Sequence, residues 1–316
     1  MSRRHSGVAI FARSVLGPSQ EIPASETPPG RFFLSSSSFG IHPGESSLAW
    51  LFFVYFLLLA TCHYVGKSVR YSTFLESLSA TQLPWAYLLV AVVSFPVLLL
   101  YLRLTARFSQ PLLRSLFCVF QAGGLVLFFW LFSLNERVVA VAFYVWITVA
   151  FGIGVSQLWS YANHVFDARQ ARRLFAFIAA GGLLGAIPGG QIASLAGRLG
   201  GTRHALLVAA GLTLVIMGLV RTIERRRPTR ARVTSSRAVL ERVQAARGGF
   251  QILRESRLLL LIAALTFLAM AINQMVDLQF SWVIQGQTDS LDQRTEVFGN
   301  FFSLMGIVGF LVQIIF

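Results

Sequence analysis

Eight stretches of this chain are each apolar for about twenty residues, and no other feature constrains its fold as much. About twenty apolar residues are what a helix needs to cross roughly 30 Å of hydrocarbon. A soluble domain has no place to bury so many such runs. The runs are Ser47 to Val65, Leu83 to Leu102, Leu112 to Leu134, Val138 to Tyr161, Leu174 to Ala196, Ala205 to Ile223 and Leu258 to Ile284. An eighth begins near Val297 and is still apolar at Phe316. The seventh is long enough to cross with tilt. Transmembrane barrels would show alternation over about ten residues instead. The expected fold is an all-α polytopic membrane bundle.

The linkers divide the chain into four parts. Residues 1–46 are rich in Ser, Pro and Gly and read as a disordered basic tail. Its Arg3, Arg4 and Arg13, with no acid before Glu21, loosely resemble an organellar transit peptide. The plainer reading is a basic cytoplasmic tail, or a start codon called too early. Residues 47–223 hold six spans, 224–257 form a long Arg-rich loop, and 258–316 begin a second helical block. That block reads as cut short, since its last helix has no polar flank.

Charge fixes the expected orientation. The chain has 27 Lys+Arg against 13 Asp+Glu, a formal net charge of +14. With the N-terminus in the cytoplasm, 21 of the basic residues fall on the cytoplasmic side, eleven of them between Arg221 and Arg257. This is the positive-inside pattern. The acids split almost evenly, so the whole excess lies inside and the rest of the chain sums to zero. A basic loop beside anionic lipid needs no further partner. It has no aromatic residue other than Phe250 and no recognisable nucleic-acid module, so nucleic-acid binding is not expected. The two cysteines, Cys62 and Cys118, sit in apolar runs and the five histidines lack metal-ligand spacing. No nucleophile and base are paired. Neither an enzyme nor a cofactor is expected.

Polar residues inside spans are expensive, and each is a candidate for function. His63, Lys67 and Arg70 recur at helical spacing at the end of the first span, which puts them on one face. They line a site, or the two cations snorkel to the outer interface. Gln157, Tyr161 and His164 recur on the fourth span, either lining a cavity or bonding between helices. Asn273 and Asp277 lie one turn apart in the seventh. An ionised Asp there binds substrate, carries a coupling proton, or pairs with Lys67 or Arg70. In the fifth span Gly181, Gly185 and Gly189 form a small-residue stripe, with Pro188 adding a bend. The stripe serves a rocking seam or tight static packing.

Six helices, a long basic loop and a second helical block resemble the major facilitator superfamily. Three motifs narrow the likeness to the nucleotide transporter (ATP/ADP translocase-like) family. They are Tyr64-Val65-Gly66-Lys67-Ser68-Val69-Arg70; Leu158-Trp159-Ser160-Tyr161-Ala162-Asn163, running on through Asp167 to Ala171-Arg172-Arg173-Leu174-Phe175; and Val276-Asp277-Leu278-Gln279-Phe280 followed by Phe298-Gly299-Asn300-Phe301. The likeness covers about Trp50 to Phe316. It implies a secondary-active carrier whose substrate binds between two helical halves. The substrate would be a small anionic solute such as a nucleotide, and the coupling ion is left open. Lys67, Arg70, Asn273, Asp277, Gln157 and Asn163 are the implied substrate-binding residues. The chain departs from the family where nucleotide exchangers carry an acid in the outer part of span four, since the region near Ile147 has none. Ser281 also replaces the usual basic residue after the span-seven acid. A transport-inactive membrane scaffold or sensor domain is the alternative. The implied location is a bacterial inner membrane with the N-terminus inside, or else an organellar membrane.

Overall fold

The computed structural model describes residues 46–134, 137–226 and 256–315. These fall in the compact unit Phe39–Phe316; the tail expected over 1–46 (Ser46 apart) and most of the loop expected over 224–257 lie outside the described residues. Among the described residues the secondary structure is helical throughout: α1 (Ser46–Ser77), a 3-10 turn (Ala80–Gln82), α2 (Leu83–Arg107), α3 (Gln110–Leu131), α4 (Arg137–Val165), α5 (Ala168–Leu184), α6 (Ala186–Arg198), α7 (His204–Arg226), α8 (Arg257–Gln287) and α9 (Leu291–Ile315). With α5 and α6 counted as one path, eight helices are long and apolar enough to cross a membrane.

Several boundaries differ from the sequence expectation; α1 runs on past Val65 to Ser77, and α5 starts at Ala168 ahead of Leu174. The last helix starts at Leu291, six residues before Val297, because Arg294 and Glu296 bond to α1 and α6 and Asp292 bonds to Thr202 in the turn before α7, rather than facing a solvated loop. The fifth span divides at Gly185. Pro188 has no N–H for the carbonyl of Leu184, so the helical ladder is interrupted at this turn.

Helix α1 is the hub. Its first half is apolar on all sides, as suits a buried helix, and it packs against α4, α5, α6, α7 and α9. Aromatic residues fill its contacts near Ser46, where Phe52 meets Tyr161 and Phe166 and Phe53 stacks on Phe177. We call this the proximal end of the bundle. The distal end gathers the finish of α1, α6 and α8 with the start of α7 and α9.

Glycines set the closest approaches. A Cβ on Gly181, Gly185 or Gly189 would lie 2.5, 2.4 or 2.7 Å from the carbonyl oxygens of Phe53, Leu57 and Thr61. The stripe therefore lets α5 and α6 lie directly on the α1 backbone, inside the first block of helices. A second glycine edge of α6 faces α9. There a Cβ on Gly190 would lie 2.3 Å from the Gly299 oxygen, and one on Gly299 would lie 2.5 Å from the Gly190 oxygen. Small residues on both helices bring the two backbones together. The glycines thus serve two seams, and only the second joins the first block to the second.

Candidate functional site

The charged residues of the first and seventh spans meet near the distal end. Lys67 on α1 places its Nζ 3.0 Å from Oδ2 and 3.4 Å from Oδ1 of Asp277 on α8. The side chains are only 13% and 8% exposed. The Tyr71 hydroxyl, one turn further along α1, donates to the same Oδ2 at 2.9 Å. Two donors from α1 therefore hold one carboxylate of α8. Snorkelling does not describe Lys67 in this conformation, because its ammonium turns inward. Phe302 of α9 lies beneath it, with Nζ 4.4 Å from the ring centroid, an attractive geometry for a cation and a π face.

Arg70 belongs to the same cluster but bonds to neutral groups. It donates to the Thr148 hydroxyl through Nη1 and weakly to the Tyr71 hydroxyl through Nη2, at 3.5 Å. Its guanidinium sits between two rings, 4.8 Å from Tyr71 and 4.6 Å from Tyr144. Those rings are edge-to-face, and Tyr71 stacks on Phe298 of α9. The site is thus an aromatic box built by α1, α4 and α9, with two cations from α1 and one acid from α8.

The other sequence candidates lie elsewhere. Asn273 is exposed although it sits one turn from Asp277, because α8 has already left the bundle there. Asn163 is exposed at the end of α4. Gln157 is buried and lines an apolar groove of about 970 Å³ between α2, α3 and α4, near Tyr101. His63 stacks on Phe151 at 3.6 Å and faces a small cavity with Gln121. Tyr161 lies under the guanidinium of Arg114, which is paired through Nε and Nη2 with Glu224 of α7. That proximal pair ties α3 to α7.

Sequence reasoning missed Tyr71, Tyr87, Tyr144 and Thr148. Tyr144 and Thr148 are one turn apart in an otherwise apolar run, and that spacing was the available signal. It also missed the distal contacts. Gln285 of α8 donates to the carbonyls of Leu75 and Leu78 at 3.1 and 3.0 Å and accepts from the Ala80 N–H at 2.7 Å. It thereby satisfies carbonyls that the end of α1 leaves open. Arg294 pairs with Glu76 and also donates to the Thr288 carbonyl at 3.0 Å. Arg198 pairs with Glu296 at 2.7 Å, and Asp292 accepts from both the N–H and the hydroxyl of Thr202.

Eight crossing-length apolar helices, with the buried Lys67–Asp277 pair at a contact between them, define a multi-pass helical membrane protein. No family model, curated protein or solved structure matches the chain.

Proposed function

We propose that this protein is a secondary-active solute carrier of the major-facilitator type, resembling the ATP/ADP translocases, that moves a small anionic solute. The buried Lys67–Asp277 pair supports this reading most strongly, because it bonds the first block of helices to the second. A charge pair held away from water is stable only while both partners are present. An anion that reaches Lys67 and Arg70 competes with Asp277 for Lys67 and releases α8. Binding energy then shifts the equilibrium between conformations, to the extent that the anion prefers one of them. Asp277 is the switching counter-ion in this scheme.

Access alternates by one helical block rocking on the other. The protein sits in a bacterial inner membrane with its N-terminus in the cytoplasm, the distal end facing out; an organellar membrane is the second placement. The distal bonds around Gln285, Arg294, Arg198 and Asp292 then close the outer side. Asn273, Gln157 and Asn163 lie towards the proximal end, which this placement puts on the cytoplasmic side. A nucleotide is the substrate that the resemblance suggests.

The test is uptake of labelled ATP and ADP into vesicles carrying the full chain, with Asp277→Asn and Lys67→Ala compared to wild type. Both variants are expected to lose most of the uptake. Unchanged uptake in both would overturn the assignment. One observation favours a second reading, a membrane scaffold or sensor without transport. Ile147 occupies the region where exchangers carry an acid, and it is packed 2.7 Å from the position of a Cβ on Gly66. Absence of uptake by the wild-type chain, with the Lys67–Asp277 pair still required for folding, would support that reading.

A further inference from the structure

Lys67 and Arg70 carry two positive charges into the cluster, and Asp277 is the one carboxylate bonded there among the described residues. Its two oxygens are taken by Lys67 and Tyr71. Arg70 is 5% exposed and receives only neutral acceptors, so one buried positive charge has no counter-ion. The flanking rings of Tyr71 and Tyr144 offset part of its desolvation but supply no charge. A buried unpaired charge is among the least tolerable features of a folded chain.

The same place holds a donor with no acceptor. Among the described residues, Nε of Arg70 is buried and makes no hydrogen bond, and the buried hydroxyls of Tyr87 and Tyr144 have only one another and the Tyr71 hydroxyl in reach. The two tyrosine rings are neighbours, 6.3 Å apart, and Tyr144 is also the ring against which Arg70 lies. Each of these groups offers an N–H or O–H, and buried donors are nearly always satisfied. One missing negative charge, an idle guanidinium N–H and two hydroxyls that meet only other hydroxyls point to the same kind of ligand.

We propose that Arg70, Tyr87 and Tyr144 bind a single monoanionic acceptor, either a halide ion or the carboxylate of a small solute. The inference rests on reading the cluster as anion-selective, as in the proposed transport scheme, but it requires binding alone. One negative charge brings the cluster to neutrality. Tyr87 and Tyr144 give it selectivity for an acceptor atom, and a neutral solute would leave Arg70 uncompensated.

The experiment is thermal unfolding of the full chain in lipid nanodiscs, followed by tryptophan fluorescence. Sodium sulfate is replaced stepwise by sodium chloride or sodium formate at constant ionic strength. A ligand that binds only the folded state raises the midpoint saturably. Saturation with chloride alone assigns a halide, with formate alone a carboxylate, and with both the shared chemistry; each supports the proposal. Tyr144→Phe keeps the ring and removes the hydroxyl. A hydrogen bond to a charged partner is strong enough that its loss should raise the half-saturating concentration about ten-fold. Tyr87→Phe is expected to act in the same direction. No saturable rise with either anion overturns the proposal, and so does an unchanged half-saturation in Tyr144→Phe. A chain that binds the anion but fails to take up ATP or ADP would sink the transport reading and leave this one standing.

Discussion

Helices α8 and α9 are both long and apolar, yet only α9 adds a close backbone seam to its polar contacts with the first block. Helix α9 uses Asp292, Arg294 and Glu296 at its distal start, but along the rest of its contact it lies on α6 with the backbones together at Gly190 and Gly299. Helix α8 meets the first block only near its distal end, through Asp277, Ser281, Ile284 and Gln285, while its residues from Leu258 to Val276 are largely exposed. A backbone contact has one geometry and cannot be exchanged for another. A charged side chain can trade its partner. The difference therefore separates a fixed seam from a releasable one. It also shows that hydropathy, which is similar for the two helices, does not decide how a helix is held.

The comparison can be broken in four places. The largest loss is expected for Asp277→Asn, which strands Lys67 in a buried aromatic box; removing one partner of such a pair costs about 3–5 kcal/mol. It would appear as a fall in the unfolding midpoint in nanodiscs. Gly190→Leu should come next, at or above the upper end of the roughly 1–3 kcal/mol typical of overpacked contacts, because Gly299 and Ser303 backbone atoms already occupy the space. Its signature is separation of α9 from α6, read by loss of a spin-label distance between them. Glu76→Gln leaves the buried Arg294 with its Thr288 bonds only, but Glu76 is itself 39% exposed, so the loss should be smaller, about 1–2 kcal/mol. Leu265→Ala, on the exposed length of α8, should change stability by less than about 0.5 kcal/mol. A large loss from Leu265→Ala would mean that α8 is held along its length after all.

Much of this was legible in the sequence. The spans followed from the length of the apolar runs, and Lys67, Arg70 and Asp277 stood out because charge inside a span is costly. Helical spacing also identified the glycine stripe. Spacing alone did not say which neighbour the stripe faces, and here it is α1, within one block. Periodicity likewise grouped Asn273 with Asp277, but a shared helix face is not a shared contact when the helix tilts away between the two residues. The tyrosines of the box were overlooked because an aromatic residue in an apolar run resembles core packing until its hydroxyl is traced. The pairs Glu76–Arg294 and Arg198–Glu296 join residues nearly one hundred or more positions apart, and no local pattern encodes such pairings.

The central claim is that Lys67 and Asp277 act as one unit joining the two blocks. A double-mutant cycle of Lys67→Met, Asp277→Leu and the combined variant, measured as unfolding free energy in nanodiscs, tests it most directly. Each single change should be strongly destabilising, and the combined variant should recover part of the loss because no unpaired charge remains. A coupling free energy above about 1 kcal/mol is the expected result. Single effects that add to within about 0.5 kcal/mol would contradict it.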